Sequence, residues 1–100
     1  LGRAWLIYND LEAVGYVILT FIFSFEYKGK IAFIDEFYIK ESSRGKGIGT
    51  ATLTFIKEQM NSLSLQLLYL EVEHHNTSAQ KLYLANHFKV HNRNLLIYKS

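Results

Sequence analysis

Seven residues, Arg44-Gly-Lys-Gly-Ile-Gly-Thr50, join an apolar, strand-like run (Ile31–Ile39) to an amphipathic, helix-like run (Ile48–Leu63). A glycine-rich turn at that junction leaves backbone N–H groups at a helix start without intrahelical partners, and they point into one small volume. Gly45, Gly47 and Gly49 present no Cβ, so a bulky anion can approach the main chain. The positive end of the helix dipole favours an anion at the same place, and Arg44 and Lys46 add full charge beside it. A chain with this junction is built to hold a pyrophosphate.

Three phosphate-binding patterns compete for the loop. A Walker loop requires lysine directly before Ser or Thr and after the second glycine, whereas Lys46 is followed by Gly47. A dinucleotide fingerprint read from Gly45 and Gly47 puts Thr50 where the third glycine belongs, with Glu71 or Glu73 as the acid downstream. The third, Arg-x-x-Gly-x-Gly, is satisfied by Arg44, Gly47 and Gly49 and resembles the acetyl-CoA-binding motif of the GNAT N-acetyltransferases. The flanking sequence extends that resemblance. Ile34-Asp-Glu-Phe-Tyr-Ile39 is similar to the family's core strand, and Leu68-Tyr-Leu-Glu-Val-Glu73 to its next one. Asn76, Ala79, Leu82-Tyr83 and Phe88 follow its Asn-x-x-Ala-x-x-Leu-Tyr-x-x-x-Gly-Phe signature, with His87 in place of the glycine. Within the family, Ile34–Ile39 looks most like the polyamine and small-diamine acetyltransferases. The final segment, Asn92–Ser100, lacks the tryptophan associated there with polyamine contacts.

One hundred residues make one domain; 49% are hydrophobic and 15% aromatic, too apolar for a disordered chain. Without cysteine or proline there is neither a disulfide framework nor a thiolate metal site. The net charge is +2 with basic residues scattered, which does not suggest a nucleic-acid surface. Val14–Phe25 is too short for a membrane-spanning helix and rich in strand formers. The location expected is the cytoplasm. His74-His75 and His87/His91 lack metal-site geometry and further ligands, so no metal is expected.

Hydropathy patterning predicts strands at Arg3–Tyr8, Ala13–Tyr27 and Ile31–Ile39, with Val17, Leu19, Phe21, Phe23 and Phe25 sharing one face of the second. A helix follows from Ile48, its apolar side formed by Ile48, Ala51, Phe55, Ile56 and Met60. Leu65–Glu73 reads as a strand. Thr77 with Gln80 reads as a capping box opening a second helix, whose face is Ala79, Leu82, Tyr83 and Asn86. Phe88–His91 and Leu95–Lys99 read as a closing hairpin around Asn92-Arg93-Asn94. The fold class is α+β, a mixed and mostly antiparallel twisted sheet flanked by helices.

What the resemblance implies goes further. The chain is a single, partial GNAT-like domain over residues 1–100, lacking the family's first strand and two helices, so an apolar sheet face calls for a second copy: a homo-oligomer, with neither nucleic acid nor membrane as partner. Acetyl-CoA is the co-substrate, held by Arg44, Gly45, Lys46, Gly47, Ile48, Gly49 and Thr50, by the backbone of Phe37, Tyr38 and Ile39 along pantetheine, and by Asn76. Tyr83 lies near the thioester sulfur, and its phenol suits a general acid. Asp35 and Glu36 are the candidate bases or amine anchors; adjacent strand residues face opposite sides unless a bulge intervenes. The reaction implied is direct acetyl transfer to a primary amine of a small molecule or polyamine. The alternatives are an acyl-CoA-binding module without turnover and a dinucleotide-binding domain.

Overall fold

The computed structural model describes residues 1–91 and 96–100. Strands β1 (Gly2–Asn9), β2 (Glu12–Ser24) and β3 (Gly29–Ile39) form an antiparallel meander. After helix α1 (Ile48–Ser62), strand β4 (Leu65–Tyr69) joins parallel to β3, and helix α2 (Thr77–Ala85) follows. The sheet order is β1-β2-β3-β4. This mixed α+β sheet, antiparallel over its first three strands, is not the doubly wound parallel sheet of dinucleotide-binding folds.

The core lies between the sheet and α1. Val17, Leu19, Ala32 and Ile34 of the sheet meet Leu53 and Ile56 of α1, with Leu65 at the rim. Leu53 and Ile56 are fully buried, and each such side chain stabilises the fold by roughly 1.5–3 kcal/mol through the apolar surface removed from water. The buried stripe of α1 is Thr52, Leu53 and Ile56. Ala51 and Phe55 of the expected face are exposed, although Phe55 still meets Trp5 edge-on with centroids 5.4 Å apart. Thr52 tolerates burial because its hydroxyl donates to Ile48 O at 2.8 Å. Leu82 and Tyr83 of α2 pack against the same cluster. The opposite sheet face leaves Leu6 and Ile22 exposed.

Each of the three strand pairs has a register shift, and those of the two antiparallel pairs each leave one extra residue. Val14 is passed over where Ile7 pairs with Gly15 and Tyr8 with Ala13. In β3, Ile18 pairs with Glu36 but Leu19 with Ile34, so Asp35 is the extra residue of a bulge. The bulge reverses the in–out alternation, which keeps Phe37 against the core after Ile34 instead of turning Glu36 inward.

Four sequence expectations are corrected. Strand β2 ends at Ser24, because Phe25–Lys28 form a turn in which Tyr27 N–H donates to Ser24 Oγ; Phe25 is therefore 88% exposed and does not continue the core face. Strand β4 stops at Tyr69, where its pairing with β3 ends, and does not run to Glu73. Asn76, not Thr77, caps α2: its Oδ1 accepts from Ala79 N–H at 3.2 Å, and the Gln80 amide closes no capping box but donates to Glu73 O and His74 O. Phe88–His91 and Leu96–Lys99 form no strand; the expected turn at Asn92–Asn94, with Leu95, lies outside the described residues. Short strands of that length are not stable by themselves, and β4 ends too early to offer them a long partner. Among the described residues no helix is long and apolar enough to cross a membrane.

The two capping assignments predict different mutants. Asn76→Ala should cost about 1 kcal/mol in urea unfolding, and Thr77→Ala a few tenths at most; the reverse order would restore Thr77 as the cap.

Candidate active site

A 3₁₀ turn at Glu41–Ser43 carries the chain from β3 into the glycine loop, and Arg44 Nε ties the loop back to the strand end by donating to Ile39 O at 2.8 Å. Gly45 and Gly47 have φ of 76° and 81°, in the left-handed region that costs an L side chain roughly 1–2 kcal/mol. A Cβ built on either would meet no atom within 4 Å, so the space over both is open to a ligand. Gly47 caps α1 without any side chain to offer, and the first turn holds no acid. The first backbone bond in the helix is Ala51 N–H to Gly47 O at 3.0 Å. The N–H groups of Ile48, Gly49 and Thr50 therefore have no protein acceptor among the described residues. That is the donor set of an anion site, flanked by Arg44 and Lys46. Gly49 has a separate role: a Cβ there would sit 3.1 Å from Leu82 Cδ2, so glycine lets the start of α1 lie against α2. Asn86 Nδ2 reaches Thr50 Oγ1 at 3.4 Å across the same contact.

The second half of the site follows from the end of the parallel pairing. The last β3–β4 partners are Phe33 and Tyr69; beyond them the two chains part. The split is a cleft of about 260 Å³, bounded by Ile34–Phe37 on one side, Leu70–Glu73 on the other, and Asn76, Ala79 and Tyr83 from the α2 end. It brings together Asp35, Glu36, Phe37, Asn76 and Tyr83. Tyr38 and Ile39 do not line it. Tyr38 is exposed beneath Arg44, whose guanidinium carbon is 5.9 Å from the ring centroid, and Ile39 serves the loop through its carbonyl.

The bulge leaves Asp35 and Glu36 exposed in succession, so both reach the cleft where regular alternation would have admitted one. Glu71 and Glu73 add two more carboxylates, and no Lys or Arg lines the cleft. In the sequence these glutamates stand only as the downstream acid of a dinucleotide fingerprint and as part of the Leu68–Glu73 strand, not as site residues. Their signal was the alternation Leu70-Glu71-Val72-Glu73, which puts both acids on one side. Glu73 lies 3.4 Å from His75 Nε2. Tyr83 is half-buried, its ring edge-on to Phe88 at 5.5 Å, and burial pushes its phenol above the ordinary value of 10. Its hydroxyl has no protein partner among the described residues. Among the described residues no three His, Asp or Glu side chains converge as a metal site.

Comparison with known proteins decides the family. The model of the acetyltransferase (GNAT) family matches residues 2–88. The chain belongs to the GNAT family. Among solved structures, an integron cassette protein from the mobile metagenome of Cole Harbour Salt Marsh is 36% identical with a TM-score of 0.87, covering 99% of this chain and 60% of its own. The chain thus spans about three-fifths of that protein's length. A ribosomal-protein-alanine N-acetyltransferase from Brucella melitensis biovar Abortus 2308 superposes with a TM-score of 0.85 at 20% identity, over 99% of this chain and 71% of its own. An aminoglycoside acetyltransferase from an uncultured soil metagenomic sample gives 0.84 at 19%, over 99% and 66%. At those identities the two likenesses establish the fold alone. A comparison with curated proteins finds no match.

The Tyr83 phenol makes a pH prediction. Its proton is held more tightly folded than unfolded, so its contribution is complete below about pH 10 and is lost as pH rises from there through the raised folded value. Denaturant unfolding should show stability falling above pH 10, and Tyr83→Phe should flatten that fall; an equal slope in both proteins would show that Tyr83 is not the titrating group.

Proposed function

We propose that the chain transfers an acetyl group from acetyl-CoA directly to a primary amine of a small cationic molecule. The observation that carries this reading is the cleft between β3 and the chain beyond β4, which is lined by four acidic residues and by Tyr83. It lies next to an uncapped helix start: Gly49 of the loop touches Leu82, the residue before Tyr83.

The loop suits acetyl-CoA on the donor set present, three unpaired N–H groups with two cations and open space over two glycines. In this reading residues 44–50 hold the pyrophosphate. The backbone of Phe37–Ile39, which has no β4 partner beyond Phe33, runs along pantetheine. Asn76 spends Oδ1 on its cap and keeps its Nδ2 hydrogens for the same arm. Acetyl-CoA supplies an activated thioester carbonyl.

The protein's task is then to place an amine and to move protons. Asp35, Glu36, Glu71 and Glu73 attract an ammonium group, and Asp35 or Glu36 takes its proton, directly or through water, to free the nitrogen lone pair. A C–N bond forms as the C–S bond breaks. Tyr83 gives its phenolic proton to the departing sulfur, while the nitrogen sheds its second proton to solvent. A backbone N–H of Phe37–Ile39 facing the carbonyl oxygen would steady the charge that develops there. The narrower reading, a polyamine or small diamine as acceptor, is supported by the acidic lining of the cleft and by Ile34–Ile39. In the same proposal a second copy covers the sheet face that exposes Leu6 and Ile22. Light scattering at micromolar concentration should give a dimer mass or higher; a monomer mass would remove this part.

Calorimetric titration should show micromolar binding of acetyl-CoA and none of NADH. Tyr83→Phe should lower kcat about 100-fold, with KM for acetyl-CoA within about twofold. An equal loss in both would make Tyr83 a packing residue. Acetyl-CoA binding with no turnover across a panel of amines would make the chain a binding module, and NADH binding instead would overturn the loop assignment.

A further inference from the structure

We infer that Tyr16 is a positioning residue for the acceptor amine, holding the Glu36 carboxylate in one orientation while leaving its charge uncancelled. The inference rests on the reading of the cleft as an amine site. Tyr16 stands on β2 opposite Tyr38, and Ile18 stands opposite Glu36, so Tyr16 and Glu36 are diagonal neighbours across the β2–β3 pair. The Tyr16 hydroxyl donates to Glu36 Oε1 at 2.9 Å. Among the described residues Glu36 takes part in no ion pair. The contrast with Glu12 is instructive, since that carboxylate is matched by Lys40 and its charge is spent within the protein. A phenol does something different. It fixes one oxygen of Glu36 but carries no charge, so the other oxygen remains a full-strength acceptor for an ammonium group.

The tyrosine is itself braced. Its ring lies 5.8 Å from that of Tyr38 at an interplanar angle of 38°. Tyr38 in turn lies beneath the Arg44 guanidinium, which is fastened to Ile39 O. The glycine loop, Tyr38, Tyr16 and Glu36 thus form one continuous series of contacts running from the anion site to the acidic cleft. The Glu36 carboxylate raises the Tyr16 phenol above its ordinary value of 10, so it stays a donor at any pH where the amine site works.

The test uses the whole chain, with 1,4-diaminobutane as acceptor. Tyr16→Phe should raise KM for the diamine about fivefold, as expected for loss of one hydrogen bond to a charged group, with KM for acetyl-CoA unchanged. In a Glu36→Gln background the same substitution should add nothing. Additive effects in the double variant would overturn the inference. A second readout needs no turnover: with 13C-labelled tyrosine, the Tyr16 phenol should titrate above 10 in the wild type and move back toward 10 in Glu36→Gln. A titration unmoved by Glu36→Gln would overturn the contact. If no amine is acetylated but the titration moves as expected, the amine-site reading fails and the contact stands.

Discussion

The site exists because β3 and β4 stop pairing after Phe33 and Tyr69. Parallel strands held together over their full length would consume their facing backbone groups in ladder bonds and leave no room between them. Parting so early, they free the far half of β3 and open a cleft into which the end of α2 brings Tyr83. The Asp35 bulge falls within this unpaired half. It keeps Phe37 on the core and leaves both acids exposed.

The anion loop and the acidic cleft are separate structures held in register by the two helices. The fully buried Leu53 and Ile56 anchor α1 on the sheet, which fixes where its uncapped N-terminus points. Gly49 then permits α2 to come within van der Waals contact, and the Asn86–Thr50 hydrogen bond closes the same junction. The unpaired N–H groups at the start of α1 therefore lie beside Leu82, the residue before Tyr83. A larger residue at position 49 would push Leu82, and with it Tyr83, away from the loop.

Elements with strong local signals were legible. The meander of three strands, the glycine loop, the existence of both helices and the Leu82/Tyr83 face of α2 follow from periodicity and turn chemistry. The misses have physical causes. Thr77 and Asn76 are both good caps, and only the path of the chain from Glu73 decides which side chain reaches Ala79. The inward face of α1 depends on which neighbours the sheet offers, so Leu53 displaced Ala51 and Phe55 from the core. Tyr16 is tied to Glu36 by strand register, which composition does not reveal.

From its residues alone, this chain was committed to a helix start with unpaired N–H groups and no side-chain cap. Glycines at Gly45 and Gly47 with Arg44 and Lys46 between a strand and a helix leave little else for the backbone to do, because both the left-handed turns and the unpaired N–H groups are local properties. The order of motifs likewise determined the family. Tertiary structure decided what faces the loop. Whether Asp35 and Glu36 share a side depends on a bulge set by pairing with β2. Whether Glu71 and Glu73 join them depends on where β4 lets go of β3. Such choices are made by contacts between residues far apart in sequence, and no local pattern carries them.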